Sequence, residues 1–189
     1  MKNAKLATIL GLSIVLVAGA IFSAALAGSY AQAQSGQSDR MNMHDRVTAA
    51  VSEGRRGGAV GALSSVQTDQ SGNEWIIYGP WRLVLIPSSD NAQSPDLIFT
   101  SGFGMVMKDG NAKHRHQISD FELTEWTADE TSITFEGTAT ITQREGPVED
   151  VPVAIKILNN NVIEISIDTS VIDHFGESPI YGMVLRSRL

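Results

Sequence analysis

The residues best suited to chemistry lie in one run, Phe103-Gly-Met-Val-Met-Lys-Asp-Gly-Asn-Ala-Lys-His-Arg-His116. Asp109-Gly110 is a strong hairpin signal. A two-residue loop there sets Met107 opposite Ala112, Met105 opposite His114 and Phe103 opposite His116. A four-residue loop keeps the faces and shifts the pairs. Either way Met105, Met107, His114 and His116 share one side of the ribbon, and Lys113, Arg115 and Gln117 share the other, solvated side. His-x-His on a strand puts two imidazoles on one face, roughly 6–7 Å apart along the chain. That spacing suits two ligands of one metal ion. Imidazole accepts zinc, copper, nickel or iron, and the neighbouring thioether of Met105 tilts the choice toward copper. His174 is a third candidate ligand, and Asp173 before it could orient or ligate. The competing reading makes the histidines interior packing residues and the methionines core filler. Face parity adds a condition: Phe121 and Leu123 point with Arg115 unless a bulge lies near Ser119-Asp120.

Composition narrows the alternatives. The chain has 189 residues, a net charge of -7 and no cysteine. Disulfides, cysteine–zinc sites, iron–sulfur clusters and thiol nucleophiles are excluded. The acidic balance argues against nucleic acid, whose phosphates need a basic stripe. No nucleophile elbow, zinc-protease helix or carboxylate motif occurs, so an enzyme is the weaker reading. Gly57-Gly58-Ala59-Val60-Gly61 is not a phosphate loop, because no Lys-Ser/Thr follows it.

The elements that must position these residues read as strands. From Trp75 onward, runs of Val, Ile, Thr, Phe and Trp alternate with turn signals. The expected strands are Trp75–Tyr78, Trp81–Ile86, Leu97–Lys108, Ala112–Glu125, Ser132–Gln143, Val151–Leu158, Val162–Asp168 and Ile180–Leu185. No helical period separates them, so neighbours are antiparallel. Asn159-Asn160-Asn161 as a three-residue loop pairs Ile157 with Ile163, Ile155 with Ile165 and Val153 with Ile167, and an Asn accepts the left-handed position. In Ser132–Gln143, Ile133, Phe135, Ala139 and Ile141 face inward. The expected fold is all-β: an antiparallel β-sandwich or partly closed barrel of about eight strands, over residues 73–189. Residues 34–72 read as a flexible linker with a short helix over His44–Glu53, ended by Gly54.

Residues 1–33 read as a signal peptide or membrane anchor. Lys2 and Lys5 precede an uncharged run from Leu6 to Ala27, roughly 33 Å long as a helix and enough to cross a bilayer. Positive charge on the amino-terminal side sends the remainder outward. Ala25-Leu26-Ala27 and Ala31-Gln32-Ala33 both fit a signal-peptidase site. The membrane is thus a partner only where the leader stays uncleaved.

Four segments carry a resemblance: Trp75-Ile-Ile-Tyr-Gly-Pro-Trp81, Met107-Lys-Asp-Gly-Asn-Ala-Lys-His-Arg-His116, Arg144-Glu-Gly-Pro-Val148, and His174-Phe-Gly-Glu-Ser-Pro-Ile-Tyr-Gly182. The chain resembles a group of uncharacterised exported archaeal proteins with one β domain. The resemblance implies an extracytoplasmic β domain and brings no activity or site residue.

The expected function is a non-enzymatic extracytoplasmic binding protein that takes copper or zinc through His114, His116, His174, Met105 and Asp173. The alternatives are a hydrophobic small-ligand carrier, its cavity lined by Trp75, Trp81, Phe99, Phe103 and Trp126, and a metal-dependent enzyme. The leader by itself makes export testable. Protease added to intact cells should remove the β domain, or the domain should appear in the medium. A protected, full-length chain inside the cells is the opposite outcome.

Overall fold

The computed structural model describes residues 42–88 and 95–189. The Leu6–Ala27 leader and the residue 34–41 part of the expected linker lie outside them. Among the described residues, no helix is long and apolar enough to cross a membrane.

One helix comes first, α1 (Met43–Ser52), close to the expected His44–Glu53. Asn42 caps it: its side-chain oxygen accepts from the Asp45 backbone N–H at 2.8 Å, satisfying a donor that the first turn leaves free. Gly54 ends it with a φ of 63°, a left-handed position that glycine takes without strain. Met43 and Val47 are buried in the main core, and the Met43 N–H donates to the Glu130 carbonyl.

Eight strands follow: β1 (Gly57–Thr68), β2 (Glu74–Ile86), β3 (Asp96–Met107), β4 (His114–Ala128), β5 (Ser132–Gln143), β6 (Gly146–Leu158), β7 (Val162–Ile167) and β8 (Ile180–Ser187). Each pairs antiparallel with the next, and β1 pairs with β8, so the sheet closes into an eight-stranded up-and-down barrel. The all-β antiparallel architecture of about eight strands is as expected; the sandwich form is corrected, and the partly closed barrel proves fully closed, by the β1–β8 ladder, in which Leu63 lies opposite Gly182 and Ala59 opposite Ser187.

The expected linker over residues 34–72 is likewise corrected. Residues 43–52 are a packed helix and residues 57–68 are a full strand. The reason is visible in the inward positions of β1, which are Gly57, Ala59, Gly61, Leu63, Ser65 and Gln67. They alternate in burial but not in hydrophobicity. Gly61 is small because a Cβ there would meet the Met183 carbonyl and the Trp81 ring. Ser65 and Gln67 are buried polar groups that meet locally: Gln67 Nε2 donates to Ser65 Oγ at 3.0 Å and to the Pro179 carbonyl at 2.8 Å. The expected break at Gly79-Pro80 is absent too, since β2 runs through it with its alternation intact.

Two registers match the sequence reading. Ile157 pairs with Ile163, Ile155 with Ile165 and Val153 with Ile167, and Asn159 and Asn160 both take positive φ. Met105 pairs with His114 and Phe103 with His116. The bulge near Ser119-Asp120 is also present, as a register shift between Ser119 and Glu122.

The interior is filled by side chains, as is usual for a barrel of eight strands. Phe99, Phe103, Phe135, Ile118, Ile141, Ile155 and Ile165 are wholly buried. One mouth gathers the β1–β2, β3–β4, β5–β6 and β7–β8 connections. The β7–β8 connection, residues 168–179, carries Ile172 and Phe175 into the core.

Close backbone approach sets a testable limit. A Cβ on Gly137 would run into the Glu122 carbonyl of β4, whereas one on Gly102 would meet open space. Gly137→Ala should destabilise the barrel by about 1–3 kcal/mol, as overpacking does. Gly102→Ala should stay within about 0.5 kcal/mol of the wild type. Urea midpoints for the two variants check the contrast.

Candidate metal centre

The strand β4 enters the barrel mouth through His114-Arg115-His116. Alternation turns His114 and His116 inward and Lys113 and Arg115 outward. His116 is 6% exposed, and His114 is half-buried above it. His174 comes from the opposite side, on the residue 168–179 connection, 60 residues away from His114 in the chain.

Local packing fixes that connection. The Asp168 carboxylate accepts from the Ser170 N–H and hydroxyl at 2.8 and 2.7 Å, closing a turn. Gly176 takes a φ of 79°, and a Cβ there would lie 2.9 Å from the Thr68 carbonyl at the end of β1. Phe175 is buried and packs edge-on against Phe103 (ring centroids 5.7 Å apart) and His116 (4.9 Å). With Phe175 held, His174 must project over the β4 histidines.

One ring nitrogen of each of the three imidazoles lies within 4.8 Å of the others. The shortest separation is 3.0 Å, between His114 Nε2 and His174 Nε2. Three nitrogens about 2.0–2.1 Å from one tetrahedral ion would sit roughly 3.3 Å apart.

Hydrogen bonds orient the rings. His114 Nδ1 lies 2.7 Å from the Ala112 carbonyl, and His116 Nδ1 lies 2.7 Å from the Thr142 carbonyl. A carbonyl only accepts, so each Nδ1 carries the proton and donates it. Each neutral ring then presents an Nε2 lone pair. That of His116 is buried and has no hydrogen-bond partner. Backbone carbonyls holding the far nitrogen of an imidazole are the usual support of a metal-ligating histidine.

The surroundings favour the neutral form of His116 and His174. Burial pushes the basicity of His116 down, and the charges of His174 and His114 add to this against the Thr142 hydrogen bond. Burial and the neighbouring His114 also lower His174, while Asp173 and Asp69 pull it back up. Asp69 is itself held at about 2, first by the Trp75 indole N–H and then by Asn73. Trp75 thus links that carboxylate to the site, its ring lying 5.3 Å from His114 and 6.1 Å from His174.

Of the five residues that sequence reading offers as ligands, His114, His116 and His174 converge. Met105 is wholly buried opposite His114 in the β3–β4 ladder. Asp173 is exposed and its carboxylate is not part of the converging group; it acts on His174 through its charge. The histidines face a cleft of about 550 Å³ whose other walls include Lys113, Arg115, Gln143 and Arg144. Gln143 ends β5 and Arg144 opens the β5–β6 turn, and neither has a spacing in the sequence that relates it to the histidines. Compared with known proteins, the chain matches no family model, no curated protein and no solved structure. The site's own geometry is therefore the ground for assigning it a function.

The lowered basicity of His116 and His174 gives a signed expectation for the metal-free protein. The unfolded rings take up protons below about pH 6.5 that the folded rings refuse. Stability should therefore be full above that pH and fall as the pH drops below it, toward the lower folded values. Urea midpoints between pH 8 and pH 5 should show this fall, and His116→Gln should flatten it.

Proposed function

We propose that this protein is an exported, non-enzymatic metal-binding β-barrel that takes one transition-metal ion, copper or zinc, through His114, His116 and His174. One observation carries the reading. His116 Nε2 is buried without a partner while its Nδ1 proton is committed to the Thr142 carbonyl. An unpaired polar atom of that kind costs stability unless something binds there. Neutral nitrogen donors without thiolate suit zinc and cupric ions. The export half of the reading is supported by Lys2, Lys5 and the Leu6–Ala27 run.

The carrier alternative is weaker. Trp81, Phe99 and Phe103 are buried within the core cluster, Trp75 is committed to Asp69 and the imidazoles, and Trp126 packs at the core edge. The enzyme alternative is weaker because the histidines that could serve as bases are the same three that converge as ligands, and no nucleophile or carboxylate is among the residues lining the cleft.

The test uses the full chain. One equivalent of cupric or zinc ion should bind and change the Trp75 emission. At saturation it should raise Tm by about 5–10 °C, because only the folded state binds. His174→Ala removes a ligand from a surface connection and should keep the strand circular dichroism. Its metal affinity should fall by more than about 100-fold, beyond what losing a supporting contact costs. Affinity should also fall as pH drops below about 6.5 toward the lowered folded values of His116 and His174, since neutral imidazole is the ligand. A wild type without metal-dependent stabilisation, or a variant that binds equally well, refutes the site.

A further inference from the structure

The cleft above the histidines has its own chemistry. Lys113 and Arg115 flank the two β4 histidines on the outward face, and Arg144 approaches from the β5–β6 turn. The chain carries 21 acidic residues against 14 basic ones, yet no Asp or Glu is among the lining residues. Among the described residues the ion pairs are Arg55 with Glu53 and Lys108 with Glu74. Neither of these ion pairs takes up Lys113, Arg115 or Arg144, and the nearest lining carboxylates, Glu145 and Asp173, belong to the adjoining cleft that shares Gln143, Arg144 and His174. Gln143, in the same wall, has its Nε2 buried and without a hydrogen-bond acceptor.

Phe103, Phe175 and Trp75 pack against the imidazoles from the barrel side. An ion bound by the three rings is thus shielded by apolar groups within the barrel and reached from the cleft. Three histidines fill three positions of a four-coordinate ion, which leaves one to an external ligand.

We infer that this open position faces the cleft and takes a multiply charged oxyanion of the phosphate type. The inference rests on the metal-binding reading above. One oxygen of the anion replaces water on the ion. The others accept hydrogen bonds from Gln143 Nε2 and from the guanidinium of Arg144, whose planar donor set matches phosphate oxygens, while Arg115 on the outward face contributes charge. Lys113 adds a mobile positive charge at the rim. A single carboxylate would leave most of these donors unused, whereas phosphate has oxygens enough for both the ion and the wall.

Cobalt(II) makes the experiment optical, because its visible bands report coordination. The full chain is loaded with one equivalent of cobalt and titrated with inorganic phosphate, and in parallel with acetate. Phosphate should shift the bands at a concentration at least about ten times lower than acetate, and less effectively as added salt shortens the Debye length from about 10 Å to 3 Å. Arg115→Ala/Arg144→Ala, both at exposed positions, should bind cobalt as the wild type does and lose at least about tenfold in phosphate affinity. Gln143→Ala should weaken phosphate without altering the salt dependence. Should none of cobalt, zinc and cupric ion bind, the metal-binding reading and this inference both fall; should zinc or cupric ion bind without cobalt, phosphate that leaves their binding isotherm unchanged overturns this inference alone. Should cobalt bind while phosphate leaves its bands unchanged or strips it from the protein, this inference alone falls. An undiminished phosphate response in the double variant overturns the assignment to this cleft.

Discussion

Closure of the sheet by β1 is the constraint on which the remainder depends. Without β1, β2 and β8 would each present an unpaired edge, and an exposed edge is a template for aggregation. With it, every strand has two neighbours. Closure asks something specific of the strand that performs it. Inward positions of β1 must fit between Trp81 and the β8 backbone, which leaves room for Gly61 and no more. The same strand ends at Gln67 and Thr68, where Gln67 holds the Pro179 carbonyl and Thr68 borders Gly176. The residue 168–179 connection is thus moored to β1 at one end and to the core through Phe175. His174 has its position because the barrel is closed.

That dependence explains which parts are legible in the sequence. Strands whose inward residues are Ile, Val and Phe announce themselves, so β5, β6 and β7 can be read with their partners. Turn chemistry supplies the rest of those registers, through Asn159-Asn160-Asn161 and Asp109-Gly110. β1 is unreadable for a physical reason. Apart from Leu63 its inward residues are small or polar: at Gly61 a ring from β2 and a carbonyl from β8 occupy the space, and Ser65 and Gln67 serve hydrogen bonds rather than hydrophobic burial. A strand defined by what its neighbours exclude has no pattern of its own. The helix α1 is legible as a helix but not as a packed element, since only tertiary contact shows that Met43 and Val47 reach the core.

The site divides in the same way. His114 and His116 share a face by the geometry of any strand, and that much comes from spacing. His174 is carried on a connection without periodicity, and its approach depends on Phe175 and Gly176 rather than on any spacing to β4. Asp173 is a candidate by adjacency to His174, but adjacent residues point apart, and it acts by charge across the surface. Alternation along β4 places Lys113 and Arg115 on the solvated face, where they are. That this face borders a cleft completed by Gln143 and Arg144 depends on the β5–β6 turn, which the β4 sequence does not encode.

The chemistry of the site comes from a conflict between burial and polarity. The imidazoles sit against Phe103, Phe175 and Trp75, and burial lowers the basicity of His116 and His174. Protons are the main competitors of a metal ion for imidazole nitrogen. Depressed basicity therefore keeps the ligand form present at neutral pH, while a buried nitrogen is left unpaired in the free protein. Meanwhile the Ala112 and Thr142 carbonyls fix the two β4 rings before any ion arrives. Little conformational freedom remains to be lost on binding, which is the condition for tight association by few donors. Asp69 and Asp173 oppose the trend at His174 alone. They leave the half-buried ring on the surface connection subject to a pull toward protonation that His116 does not share.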